Sequence, residues 1–233
     1  MLIGQGIKIG SGINITPDVT SGIVTNGLIL NLDAGNTSSY PGSGTSWTDL
    51  SGAGNNFSFS SGDSTFTSAG NQSYFYFGNI ATGGNILPAT AYTKVAIFKV
   101  AGSYANIISG GNTGNDHAFW GAGTQTLQSG HNGAWSTIQA AVTTPLNQWV
   151  FGAVSFNTST GWKLYIGTQT PVTNSSTSTF SPTPAGVEIG GFQGNANNMN
   201  GSVGVALIYN RVLSDTEIYQ IRTYYSSRFT NLY

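Results

Sequence analysis

The feature that most constrains this chain is a succession of short runs, each rich in aromatic and β-branched residues and each cut off by glycine or asparagine. They begin with YFYFGNI (74–80), TKVAIFKV (93–100), YANIISG (104–110) and HAFWGA (117–122). They continue with AWSTIQAAV (134–142), QWVFGAVSFN (148–157), GWKLYIG (161–167), GVEIGG (186–191) and GSVGVALIYN (201–210). Runs of this length and spacing are strands, and strands separated by such turns fold as an all-β sandwich or barrel. The pair QWVFGAVSFN and GWKLYIG, joined by TST, predicts a hairpin. Upstream, GLILNLDAG (27–35) sets Leu28, Leu30 and Leu32 against Ile29, Asn31 and Asp33, the period of a strand with one buried face. Residues 36–72 are rich in Ser, Gly and Asn and predict loops and short strands.

One helix interrupts this pattern. In RVLSDTEIYQIRTYY, Ser214 is an N-cap with Glu217 three residues on, and Leu213 and Ile218 are spaced for a hydrophobic staple. Ile218, Ile221 and Tyr225 follow at helical spacing, so a helix over residues 214–227 closes the domain with that side on the sandwich.

Composition narrows the function classes. Charged residues make up 6% of the chain, against roughly 25% in an average globular domain, so the surface is built from Ser, Thr, Asn and Gly and suits strands and turns. With a net charge of −1 and its cations scattered singly, the chain offers no basic stripe for a row of phosphates, and no nucleic-acid partner is expected. The absence of cysteine excludes disulfides and thiolate metal sites. No apolar run reaches the roughly 20 residues of a membrane span, and the glycine-punctuated N-terminus does not read as a signal peptide.

The segments QWVFGAVSFNTSTGWKLYIG and VEIGGFQGNANNMNGSVGVALIYNRVLSDTEI resemble the paired strands and the closing pattern of laminin G-like and concanavalin A-like jelly rolls. With GLILNLDAGNTSSYPGSGTSWTDLSGAGNN resembling the family's first strand and loop, the likeness covers residues 27 to 228. It implies an all-β, two-sheet antiparallel jelly-roll sandwich with one short C-terminal helix. Ahead of it stands GIKIGSGINI (6–15), where Ile7, Ile9, Ile13 and Ile15 share one face of an extended ribbon and Lys8 and Asn14 the other. TPDVTSG (16–22) then reads as a linker. The expected division is an extended arm over 1–20 and a jelly-roll domain over 21–233. An unpaired apolar ribbon wants a sheet to join, either as an extra edge strand or on another chain. Because the jelly roll is complete from residue 27, the expected partner is another chain.

Glycan-cleaving enzymes of this fold resemble one another in a Glu-x-Asp-x-Glu strand, since retaining hydrolysis needs two carboxyls about 5 Å apart. Here the only glutamates, Glu188 and Glu217, have no acidic neighbour at that spacing. Six aspartates remain for an inverting pair, Asp18, Asp33, Asp49, Asp63, Asp116 and Asp215, most of them in turn contexts where Asp bonds its own backbone. In GNDHAFW (114–120), Asp116 beside His117 reads either as an oriented imidazole or as a turn residue before a strand. No Gly-x-Ser-x-Gly elbow accompanies it. His117 and His131 lack a third ligand for zinc. No cofactor is expected, and calcium, which the family often holds through carbonyls and a single Asp, is the one ion left open. A glycan site is available at Trp120, His131, Asn132 and Trp135, with burial of both indoles in the core as the competing reading.

The Gly-Ile arm joined to a cysteine-free jelly roll resembles virion structural proteins of tailed bacteriophages. That resemblance implies a non-enzymatic capsid-decoration or tail-associated protein on the particle's exterior, present in many copies or as a homo-oligomer and docked on other virion proteins. A glycan-binding adhesin is the alternative, with surface glycan as partner. A hydrolase with an unrecognised carboxylate pair, to be screened through Asp116 and Glu188 variants, stands behind it.

Overall fold

A computed structural model of the chain describes residues 22–59, 64–102, 104–111, 116–122, 125–177, 185–192 and 198–233. The predicted arm, with Ile7, Ile9, Ile13 and Ile15, lies outside the described residues. In chain order the strands are β1 (Leu28–Asp33), β2 (Ser46–Trp47), β3 (Phe57–Phe59), β4 (Ser64–Thr67), β5 (Tyr74–Phe77) and β6 (Ala81–Leu87). Then come β7 (Ala91–Val100), β8 (Ala105–Asn106), β9 (Ile108–Ser109), β10 (His117–Ala122), β11 (Gln125–His131) and β12 (Ala134–Thr143). The last are β13 (Val150–Asn157), β14 (Gly161–Ile166), β15 (Val172–Asn174), β16 (Ala185–Ile189) and β17 (Gly201–Tyr209), followed by helix α1 (Asp215–Ser226).

The first layer is an antiparallel sheet of eight strands in the order β15-β14-β13-β7-β17-β5-β4, with β1 sharing the β17 edge. Its middle strands are largely apolar because both faces are covered over most of their length. One face enters the sandwich core through residues such as Tyr92, Ala96, Phe98, Val154 and Phe156. The other carries Val95, Ile97, Phe151, Leu207 and Tyr209, which pack under Ile218, Ile221 and Tyr225 of α1 and Phe229 of the tail. The predicted hairpin is β13–β14, in register from Gly152↔Ile166 to Asn157↔Gly161.

The predicted helix start is present in full. Ser214 Oγ accepts from the Glu217 N–H while the Glu217 side chain accepts from the Ser214 N–H. Arg211 donates to Glu217 at 2.5 Å, and this bond, with those from Ser214, pulls the Glu217 carboxyl down to about 2. Glu217 is a structural residue.

The second layer is divided, where one continuous sheet was the simpler expectation. A five-stranded part runs β2-β3-β6-β16-β9 and a four-stranded part runs β12-β11-β10-β8. A single segment joins them: Asn106 pairs with Trp120 in one part, and two residues later Ile108 pairs with Ile189 in the other. The chain changes partner at Ile107, and the Gly110↔His117 bridge continues the seam. Between the layers Phe75 sits in an aromatic cluster, its ring centroid 4.7 Å from Trp47 and 4.3 Å from Phe59. Each such pair contributes about 0.5–1.5 kcal/mol beyond area burial.

Candidate functional site

The four-stranded part has two unlike faces, set by the alternation of side chains along each strand. On β10, His117 and Phe119 point into the sandwich and are fully buried, while Ala118 and Trp120 face outward. The outward side carries an open cleft of about 280 Å³, lined by Tyr104, Asn106, Ala118, Trp120, Trp135 and Phe192.

Two local devices build this cleft. The β11–β12 turn is Asn132-Gly133, with φ of 49° and 82°, the paired left-handed conformation of a two-residue hairpin. Just before it, a Cβ on Gly130 would lie 1.8 Å from the Ala134 carbonyl oxygen, so glycine there lets the start of β12 fold closely over β11. That approach brings the Trp135 carbonyl to the Trp120 indole, whose Nε1–H donates to it at 3.0 Å. With its polar edge occupied, Trp120 presents a ring face. Tyr104 lies nearly parallel to it, centroids 5.4 Å apart and planes 28° off, and Phe192 meets Trp135 edge-on at 5.0 Å.

Polar groups flank the indole. Trp120 pairs with Asn106 on one side and Gln128 on the other, and Gln128 pairs in turn with Gln139. The result is a row of Asn106, Trp120, Gln128 and Gln139 across four strands. Asn106 Oδ1 accepts from Ser109 Oγ at 3.1 Å, and Gln128 Oε1 accepts from Ser136 Oγ. Each amide is thereby fixed in direction.

Trp120 and Trp135 therefore come together on a surface, half-buried, outside the core. The other two members of the predicted glycan group part from them. His131 lies opposite His117 in the ladder and points inward, its ring 4.5 Å from Phe156 and 4.4 Å from Trp162. Asn132 is exposed and serves as the turn residue. Tyr104, Asn106, Gln128 and Phe192 went unread in the sequence; strand pairing, which brings Asn106 and Gln128 beside Trp120, was the missing signal.

Behind the cleft, on the inner face, is a buried polar cluster. Lys94 Nζ donates to the Ile108 carbonyl at 3.0 Å and lies 2.6 Å from His117 Nδ1. His117 Nε2 donates to the Gly186 carbonyl at 3.0 Å, which leaves Nδ1 as the acceptor for the amine. The Tyr92 hydroxyl lies 2.5 Å from His131 Nε2. Burial holds both Lys94 and His117 well below their usual values, and for His117 the nearby Lys94 charge adds to this. With both its ring nitrogens engaged by Lys94 and Gly186, His117 is not oriented by Asp116, which corrects that catalytic reading.

The carboxylates are likewise spoken for. Asp33 holds Arg228, Asp49 accepts from the backbone N–H groups of Asn31, Ser51 and Asn55, and Asp215 takes Lys163 and the Tyr165 hydroxyl. Asp116 is buried, with its carboxyl raised by desolvation, and Glu188 lines a separate groove with Thr82, Asn85 and Gly111. Asp18 and Asp63 lie outside the described residues. Among the described residues no group of three or more His, Asp or Glu converges on a metal position. None of their helices is long and apolar enough to cross a membrane.

A family model described as the concanavalin A-like lectin/glucanases superfamily matches residues 69–219. No curated protein matches the sequence. Among solved structures, the chain is similar to domain 4 of a GH43 extracellular arabinanase from Geobacillus stearothermophilus in complex with arabinotriose, at 13% identity and a TM-score of 0.63, over 83% of this chain and 97% of that one. It is also similar to Trypanosoma rangeli sialidase in complex with sialic acid, at 14% identity and a TM-score of 0.60, over 87% of this chain and 33% of that one. A mutant of the same sialidase displaying trans-sialidase activity matches at 14% identity and a TM-score of 0.62, over 89% and 34%. The chain thus spans about a third of the sialidases it matches.

These neighbours overturn the expectation of a non-enzymatic phage virion protein. The fold is shared with domains of carbohydrate-active enzymes.

Proposed function

The chain belongs to the concanavalin A-like lectin/glucanases superfamily, and from that premise we propose that it binds glycan in the cleft formed by Tyr104, Trp120 and Trp135. The observation that carries the reading is the Trp120 indole, stacked on Tyr104 and tied by its N–H to the Trp135 carbonyl. A sugar ring has one apolar C–H face and a girdle of hydroxyls. It needs a fixed aromatic plane to lie on and amides beside that plane to bond its edge. Trp120 supplies the plane, and Asn106, which lines the cleft beside it, supplies the amide, while Gln128 is buried on the other side of the indole with its amide held by Ser136 and Thr126. Holding these groups in place before binding lowers the entropy cost of ordering them with the ligand. The arabinotriose in the similar arabinanase domain supports a short oligosaccharide as the ligand class.

Retaining hydrolysis needs two carboxyls about 5 Å apart, and among the described residues none lines this cleft. What this cleft offers is recognition. The test is calorimetric titration of the parent, Trp120→Ala and Trp135→Ala with arabino-, xylo-, gluco- and galacto-oligosaccharides, with released reducing sugar measured in parallel. Binding by the parent and a loss of at least tenfold in both variants, about 1.4 kcal/mol or more, is the expected result. No binding by the parent, or equal binding by the variants, rejects the site.

A further inference from the structure

The outer face of the eight-stranded sheet is covered by α1 and the tail at one end only. At the other end the register aligns a row across four strands: Thr65 opposite Tyr76, Tyr76 opposite Ser202, and Ser202 opposite Lys99. Phe75, Phe77, Phe98 and Val100, their chain neighbours, face the core, so this row faces outward. It floors a groove of about 700 Å³ whose lining includes Thr67, Tyr74 and Asn147.

The cation is what sets this groove apart. Lys99 Nζ lies 4.9 Å from the Tyr74 ring centroid and 5.0 Å from that of Trp149, rings that meet at 70°. Two aromatic faces hold the ammonium in one place. The described ion pairs engage Lys163, Arg211 and Arg228, and none engages Lys99. No carboxylate lines the groove among the described residues. Beside the cation stands Tyr76, 41% exposed, its ring steadied by a bond from its hydroxyl to Asn200 Oδ1 at 2.8 Å.

We infer that this groove is a second ligand site, on the opposite layer from the Trp120 cleft, and that it takes a saccharide bearing a carboxylate. The sugar ring lies against Tyr76, its hydroxyls meet the Thr65 and Thr67 side chains, and its carboxylate sits on Lys99 as a charge-assisted bond. Lys99 could instead serve only as an aliphatic roof over Trp149, and the experiment separates the two roles.

Two matched pairs of probes differ in charge: trigalacturonate against its methyl ester, and 3′-sialyllactose against lactose. The expected result is that at least one acidic sugar binds, its neutral counterpart binds at least tenfold more weakly, and added salt weakens the acidic complex. Lys99→Met, which keeps the aliphatic stem over the rings, lowers acidic-sugar affinity about tenfold. Tyr76→Ala at the exposed ring lowers it as well, while Trp135→Ala leaves it unchanged. Failure of both acidic sugars to bind, equal binding of the neutral partners, or indifference to Lys99→Met overturns the proposal. Loss of acidic-sugar binding in Trp135→Ala overturns it too, by placing the ligand in the first cleft. Because the two sites answer to different variants, either fails without the other.

Discussion

The two faces of the four-stranded sheet are made from the same stretches of chain and have opposite chemistry. Alternate residues of HAFWGA send His117 and Phe119 inward and Ala118 and Trp120 outward. His131 ends β11 pointing in, and Trp135, four residues later and past the turn, lies at the cleft. The inner face turns its polar groups, His117 and His131, onto Lys94 and Tyr92 of β7 across the core. The outer face sets the buried amides of Asn106 and Gln128 beside a half-buried aromatic plane, with Asn106 lining the cleft. Nearness in sequence therefore misleads about nearness in function, because a step of one residue along a strand crosses the sheet.

Four measurements break or sharpen that contrast. The largest effect belongs to the inner face. Lys94→Met removes the donor to His117 Nδ1 and to the Ile108 carbonyl, and leaving buried acceptors unmatched costs about 2–4 kcal/mol of stability. Chemical denaturation should show that loss, with sugar affinity of the folded variant unchanged; a stability equal to the parent would mean that the cluster contributes nothing net.

Acid comes next. His117 has a folded pKa well below its unfolded value, from burial and the nearby Lys94 charge, so unfolding takes up a proton as pH falls through the range of a free imidazole. Stability from His117 is fully present above about pH 6.5 and is lost as pH falls below it, at up to ~1.4 kcal/mol per pH unit for each proton taken up. Asp116, whose carboxyl burial raises, acts in the opposite sense. Denaturation midpoints should fall between pH 7 and 5, and a flat profile over that range contradicts the buried neutral histidine.

The outer face predicts a smaller change in stability and a larger one in binding. Trp135→Ala, at a half-buried position, should lower stability by no more than about 2 kcal/mol while removing at least tenfold in glycan affinity. The smallest effect is expected at the turn. Asn132→Ala forces a residue with a Cβ and no amide into a φ of 49°, at a cost of about 1 kcal/mol, with no loss of binding. A binding defect there would return Asn132 to the glycan site.

Much of the fold is legible in the sequence, for physical reasons that can be named. The middle strands of the eight-stranded sheet are covered on both faces over most of their length, so VAIF, VFGAVSF and VGVALIY read as largely apolar runs. The helix is legible because its cap, Ser214 and Glu217, is a local device. The division of the second layer is not, since a change of partner at Ile107 leaves no local mark. Trp120 and Trp135 can be picked out as aromatics beside an Asn-Gly turn. Asn106 and Gln128 cannot, because cross-strand register brings them to Trp120, and a single strand's pattern does not contain its partner's alignment. Lys94, in the middle of TKVAIFKV, gives no sign that it is buried. The phage expectation rests on the Gly-Ile arm together with a surface poor in charge and the absence of cysteine, and such a composition suits any sandwich built from Ser, Thr and Asn.

The most direct test follows the indole N–H signals of the five tryptophans by nuclear magnetic resonance during titration with arabinotriose, then with gluco-, xylo- and galacto-oligosaccharides. The glycan cleft predicts that Trp120 and Trp135 move together on saturation while the buried Trp47 and Trp162 stay fixed. Immobile Trp120 and Trp135 signals across the whole series would contradict it.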